Sequence, residues 1–257
     1  MKLDFNSFSN KGSRQNNEDA VYPTISDIFS NLFIVCDGVG GAAKGEIASD
    51  LVKKNLVYEL SKEKNYELNK THIQKAIKKT EVKLAEYLKV NPESEGMATT
   101  LTIAYFNKNN VVLGHIGDSR IYQFRNGKML FKTQDHSLVN DLLSSNIISY
   151  NESLNHPHKN IINRALVAGK NDTKADFKTI SDLANNDIFL LCSDGILESF
   201  NDAELAELFI TDRKIETYTN EIVEKCKIHS NDNFSAIVIK ITDIEAPKKS
   251  IWDRIFK

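Results

Sequence analysis

Three apolar runs of strand length in this chain each lead straight into an aspartate beside a glycine, and this repeated ending constrains the fold more than any other feature. The runs are LFIVC before Asp37-Gly38, VVLGHI before Gly117-Asp118, and IFLLCS before Asp194-Gly195. A fourth acid, Asp232, stands just before the apolar stretch FSAIVI, and a pair, Glu18-Asp19, follows the N-terminal strand pattern after a short loop. Runs this short and this apolar read as buried strands. A carboxylate at the rim of a rigid sheet is well held and still reachable by water. Several converging there repel one another, so they require cations or partial protonation. An all-oxygen set suits Mg²⁺ or Mn²⁺, with water filling the remaining positions. Taken singly, each Asp-Gly pair reads equally well as a surface turn; its recurrence behind apolar runs is what favours a site.

The remaining pattern supplies the other layers. Leu3 to Phe8 reads as a strand, and helices are predicted from about Ala43 to Leu60 and from Thr71 to Val90. Thr99 to Phe106 and Val111 to Ile116 are β-rich, and Asn126-Gly127 joins Ile121–Phe124 to Met129–Phe131 as a hairpin. Ser137 to Ser145 is a short helical pattern, and Ser149 and Glu152 have capping-box spacing for another. Asp202 to Phe209 and Glu216 to Cys226 read as helices before a last strand from Phe234 to Ile239. Strands and helices grouped in this way predict an α+β fold with largely antiparallel sheets.

Several function classes are excluded. At 257 residues, 41% hydrophobic and 26% charged, the chain has the composition of a globular protein, and its net charge of −2 favours neither nucleic acid nor an anionic membrane. No stretch is apolar enough to span a bilayer; Ile28 to Cys36, uncharged throughout, is strand-sized. The start, MKLDFNSFSN, lacks the apolar core of a secretory signal, so a cytoplasmic location is expected. Cys36, Cys192 and Cys226 are too few for a disulfide framework, and none has an arginine six positions on, as a cysteine-dependent phosphatase would need. Gly40 to Gly45 lacks the Lys and Ser/Thr of a P-loop, and no EF-hand spacing occurs. His156-Pro157-His158 has no nearby Cys to complete a zinc site and reads as loop.

Seven motifs occur in order: Arg14-Gln15-Asn16-Asn17-Glu18-Asp19, Val35-Cys36-Asp37-Gly38-Val39-Gly40-Gly41, Ala98-Thr99-Thr100, Gly117-Asp118-Ser119-Arg120, Asp135-His136-Ser137, Ser193-Asp194-Gly195 and Asn231-Asp232-Asn233. As an ordered set they resemble the metal-dependent serine/threonine protein phosphatases, the PPM or type 2C family, particularly its bacterial single-domain members. The resemblance covers about residues 3 to 240. It implies a four-layer αββα sandwich, with two central, mostly antiparallel β-sheets flanked by helix pairs. It further implies a phosphatase domain over residues 1–242, a flap at about 138–170 beside the cleft, and a tail over 243–257.

The resemblance also implies two or three Mn²⁺ or Mg²⁺ ions. Asp37 is expected to bridge two of them, with the Gly38 carbonyl on one. Asp194 and Asp232 complete the first site, Glu18 and Asp19 serve the second, and Asp118 helps hold a third. Arg14 is expected to grip the substrate phosphate. The implied reaction is in-line attack of a metal-activated water on phosphoserine or phosphothreonine, with no covalent phosphoenzyme. Partners would be phosphorylated proteins, substrates of a serine/threonine kinase. Val39 stands where many eukaryotic members carry a histidine that donates a proton to the leaving group, and Ala98 stands where glycine is usual. His136 reads as a support behind the residues that line the site, or as structural. In the tail, Ile251, Trp252, Ile255 and Phe256 would share one helical face; a frayed tail, or one packed on its own domain, is the favoured reading, and docking to a partner or a membrane surface is the alternative. A phosphoprotein-binding module without catalysis and a small-molecule phosphatase are the alternatives; retention of every acidic position speaks against the first.

Overall fold

A computed structural model describes residues 1–24, 31–39, 44–63, 67–154 and 156–244. Its layers follow from the apolar runs. In β3 (Leu32–Val39), Leu32, Ile34 and Cys36 face one apolar cluster while Phe33 and Val35 face another. In β11 (Ile188–Cys192), Ile188, Leu190 and Cys192 face one cluster while Phe189 and Leu191 face the cluster that receives Phe33. Side chains alternate across a strand, so a run that is apolar at every position must be buried on both faces. Two such sheets stacked together need helices outside each, which gives four layers and three apolar interfaces.

Among the described residues, one sheet has the order β1 (Lys2–Asn10), β12 (Phe234–Asp243), β11, β7 (Arg120–Arg125) and β8 (Lys128–Lys132). The other runs β10 (Asp176–Ile180), β6 (Val111–Ile116), β5 (Leu101–Phe106), β3, β4 (Ala98–Thr99) and β9 (Leu166–Val167), with β2 (Asp19–Tyr22) also paired to β3. Each of these pairings is antiparallel. Between the sheets a row of aromatic rings, Phe5, Phe33, Phe106 and Phe189, stacks edge to face at 5.2, 5.6 and 5.2 Å between centroids, the arrangement ring quadrupoles prefer.

Helices α1 (Gly45–Ser61) and α2 (Lys70–Val90) cover the second sheet. They present Ala48, Val52, Leu56 and Leu60, and Ile73, Ile77 and Leu84, at helical spacing. The Asn69 side chain caps α2, accepting from the Thr71 and His72 amides. Helices α5 (Asp202–Leu208) and α6 (Ile215–His229) cover the first sheet through Leu205, Tyr218, Ile222 and Cys226. The expected αββα architecture is therefore the observed one.

Strands β2, β9 and β10 were not anticipated. β2 is four residues long and stops at Pro23, β9 is two residues long, and β10 exposes three of its five positions as an edge strand. None has the length or alternation that reads as a strand in isolation. The expected flap segment carries two short helices, α3 (Leu138–Ser144) and α4 (Tyr150–Leu154), the second with the expected Ser149–Glu152 box. Its neck is closed by a bridge between Ser137 and Ile162. Leu166 and Val167 already belong to the sandwich as β9, so the part outside the sheets ends before residue 170. Ala43, Gly40, Gly41 and the apolar positions expected in the tail lie outside the described residues.

Candidate functional site

The strand ends bring the predicted acids to one place. Glu18, Asp37, Gly38, Asp118, Asp194 and Asp232 line a single cavity of about 510 Å³ together with Arg14, Gln15, Asn16, Val39, Asn160, Ile162 and Asn233. Asp19 lies directly behind it. Asp37 continues the inter-sheet side of β3, and the register of β2 sets Asp19 exactly opposite it. Like charges opposite each other on one sheet face repel, so this pairing needs compensation.

Threonines hold Asp37. The Thr100 hydroxyl accepts from the Asp37 amide at 3.0 Å, the Thr99 hydroxyl donates to the Asp37 carbonyl at 2.8 Å, and the Thr100 amide donates to that carbonyl at 2.8 Å. Gly38 is wedged between two chain segments: its amide donates to the Glu18 carbonyl at 3.0 Å, and a Cβ there would run into the Gly45 carbonyl at the start of α1. Asp118 follows Gly117, whose φ of +104° suits glycine and whose missing Cβ makes room for Thr100. Ser119 and Thr100 share a hydroxyl hydrogen bond at 2.7 Å.

The loop from Lys11 to Glu18 is fastened from the far end of the chain. Asn233 accepts from the Glu18 amide at 2.8 Å and donates to the Lys11 and Asn16 carbonyls at 2.8 and 2.9 Å. Ser13 donates to the Asn231 carbonyl at 2.6 Å. Arg14, 59% exposed along its side chain, donates to Asp232 at 2.7 Å. Asn233 and the two threonines stand within the motifs, where the sequence alone assigns them no role. Asn160 and Ile162 carry no signal in the sequence, because only the closure of the flap neck brings them to the cavity.

The electrostatics follow from crowding. Loss of water pushes the Asp37 carboxyl well above the usual range, with Asp19, Asp194, Asp118 and Asp232 adding repulsion. Burial raises Asp19 to about 7, against the hydrogen bond from the Ser193 hydroxyl that lowers it. Asp118 rises to about 7 through burial and the charge of Asp194, and Asp194 to about 6 through burial and Asp232. Glu18 is raised by burial and then by Glu46.

These residues fit divalent metal ions of the Mg²⁺ or Mn²⁺ kind. One oxygen of Asp19, Oδ1, is buried with no hydrogen-bond partner, while its Oδ2 accepts from Ser193 at 2.8 Å. A buried anionic oxygen without a donor is costly, and a cation satisfies it. Among the described residues no three acidic, histidine or cysteine side chains are grouped so that together they could hold a metal ion. Small hard cations need no such group, since they keep several waters and take one or two carboxylates each.

Other candidates fall away. All three cysteines are buried and unpaired, and burial raises Cys36 and Cys192, so neither is a ready thiolate. His136 accepts from the Gly117 amide through Nδ1 at 3.0 Å and meets Asp176 through Nε2 at 3.1 Å. This is the structural role expected of it.

A family model described as Protein phosphatase 2C matches residues 9–227, nearly the whole span in which these motifs lie. The chain belongs to the protein phosphatase 2C family. Among its relatives in that family, the serine/threonine phosphatase stp of Listeria innocua serovar 6a is 32% identical over 238 residues, which is 88% of this chain and 91% of that protein. The crystal structure of the Mycobacterium tuberculosis serine/threonine phosphatase PstP/Ppp matches with a TM-score of 0.84 at 29% identity, over 95% of this chain and 100% of that one. The catalytic domain of PstP in complex with two manganese ions matches with a TM-score of 0.78 at 28% identity, over 94% and 99%.

Proposed function

We propose that this chain hydrolyses phosphoserine and phosphothreonine in proteins. Asp37, Asp194, Asp232, Glu18, Asp19, Asp118 and the Gly38 carbonyl would hold two or three Mn²⁺ or Mg²⁺ ions. The observation that carries the reading is the single cavity lined by Glu18, Asp37, Asp118, Asp194 and Asp232, with Arg14 on its wall. The manganese-bound relative supports the choice of ion. When bound, such ions bring the pKa of water toward neutrality and offset charge on the phosphoryl oxygens.

The chain's own residues do the rest. Arg14 spends one donor on Asp232, and the remaining donors of its fork suit a phosphoryl group. Asn233 holds the Arg14 loop to the strand end that carries Asp232, so the clamp and the acids share one frame. Asn160 and Ile162 of the flap neck wall the cavity where the rest of a substrate would lie. Val39 has no proton to give, and a water in the site would serve in its place for the leaving alkoxide.

The substrates would be proteins phosphorylated by a serine/threonine kinase, met in the cytoplasm, where three unpaired cysteines stay reduced. The segment after Ile244, with its apolar side chains, is the place for a docking contact. The test is Mn²⁺-dependent hydrolysis of a phosphothreonine peptide, compared with small phosphate metabolites. Turnover is expected to vanish with a chelator and to favour the peptide; full activity in a metal-stripped sample would overturn the reading.

A further inference from the structure

His136 touches both the turn that carries Asp118 and the neck of the flap. On one side it occupies both backbone groups of Gly117: the Gly117 amide donates to Nδ1 at 3.0 Å, and the His136 amide donates to the Gly117 carbonyl at 2.8 Å. On the other side its carbonyl accepts from the Asn163 amide at 2.9 Å, next to the Ser137–Ile162 bridge. With Nδ1 accepting, the proton of the neutral ring sits on Nε2 and is donated to Asp176 at 3.1 Å. The second oxygen of Asp176 takes Arg164, the residue after Asn163, at 2.7 Å.

The ring has little room to absorb movement. It is 7% exposed and lies against the buried ring of His115, with centroids 4.4 Å apart. The preceding residue, Asp135, is gripped bidentately by Arg120 of β7 at 2.7 Å on both oxygens. Gly117 is backed on its other side by Thr100, which itself holds Asp37. A shift of Ile162 and Asn163, which form the cavity wall and its neighbour, therefore passes through His136 to Gly117 and Asp118.

We propose that His136 is a positioning residue that couples the flap neck to the Gly117-Asp118 turn, so that the chain substrate presses on and the carboxylate of Asp118 move together. The proposal rests on the reading of Asp118 as a metal-holding acid. It makes the flap a sensor of occupancy: a seated phosphoprotein steadies the neck, and through His136 it steadies the weakest-held ion.

Three variants of the full chain dissect the clamp. His136→Asn keeps a short acceptor near the Nδ1 position, His136→Gln reaches toward Asp176, and His136→Ala removes both contacts. Amide hydrogen exchange on the metal-free protein reads Gly117 and Asn163, and calorimetric titration with Mn²⁺ separates tight from weak ions. In His136→Ala the Gly117 amide loses its side-chain acceptor, and exchange there is expected to rise by about tenfold, the weight of one lost hydrogen bond; Asn163 keeps the His136 carbonyl as its acceptor, so a rise there alongside Gly117 reads the coupling itself. The weakest Mn²⁺ ion should loosen by a similar factor while the tight ions hold. His136→Asn should restore Gly117 and the weak ion. Should the alanine variant not fold, the asparagine and glutamine variants decide the same question, since each keeps one contact and must lose the other's effect.

Faster exchange at Gly117 with Asn163 and the weak ion unmoved would overturn the coupling, as would equal loss of every ion. Asp118→Ala is the control for the underlying reading. If it leaves the Mn²⁺ titration of the wild type unchanged, that reading of Asp118 fails, while joint or separate exchange at Gly117 and Asn163 still decides the role of His136.

Discussion

At the scale of single residues, repulsion and its relief dominate the cavity. Asp37 faces Asp19 across one register position and is raised by loss of water and by four other aspartates. Asp37→Asn keeps the shape and removes one charge. Turnover of a phosphopeptide should fall by about a thousandfold or more, the scale of losing a central electrostatic partner. The Tm of the chelated variant should equal or exceed that of the chelated wild type, because a repelling charge has gone. Near-normal kcat would remove Asp37 from the centre of the site. Arg14 differs, being exposed and bonded to one acid. Arg14→Ala should raise KM for the peptide about tenfold with a smaller change in kcat, as expected for one charge-assisted contact; unchanged KM and kcat would show that it is no clamp.

At the scale of elements, the loop between β1 and β2 has no regular structure and owes its shape to Asn233. That side chain, 6% exposed, satisfies three backbone groups of the loop. Asn233→Ala leaves them to find water in a crowded place, at a cost of about 1–3 kcal/mol. For a domain of this size each kcal/mol lowers Tm by about 2–4 °C. Because Arg14 rides on the same loop, KM should rise along with the fall in Tm. A fall in Tm with KM unmoved would mean that the loop does not place the clamp. The helices show the opposite case. Asn201 caps α5 in a box with Glu204, as Ser149 does for α4 with Glu152, and these are local signals that need no partner element.

For the whole molecule, the acids set a dependence of stability on pH. Asp19 and Asp118 titrate at about 7 and Asp194 at about 6 in the folded protein, against a usual value of 3.8. A raised carboxyl means that the folded state holds protons longer than the unfolded chain does. Stability from these groups is thus full below the unfolded value and is lost as pH climbs to the folded one. These acids should lower the Tm of the chelated protein progressively between about pH 4 and pH 7, opposed below pH 6.5 by the buried His115, which burial lowers to about 3. Adding Mn²⁺ should restore more Tm at pH 7.5 than at pH 5, because a bound ion takes the place of those protons. Calorimetric scans at both values, with and without metal, check this; a metal effect larger at pH 5 would contradict the arrangement of acids.

Much of this was legible in the residues. Runs such as LFIVC and IFLLC read as strands buried on both faces, while the stacking of two sheets between helices entered only through the family resemblance. The aspartate recurring after such runs places acids at sheet rims, and charges gathered at one rim require cations or partial protonation. These inferences hold because periodicity and charge are local properties of the chain. The tertiary structure alone decided which rims meet, that Asp19 lies opposite Asp37, and that Asn233 ties the end of the chain to the Arg14 loop across 217 residues. It also decided that β10 is a strand: DFKTI has no pattern of its own and becomes one by pairing with β6. Register and long-range hydrogen bonds join residues far apart in sequence, and no window along the chain contains both partners.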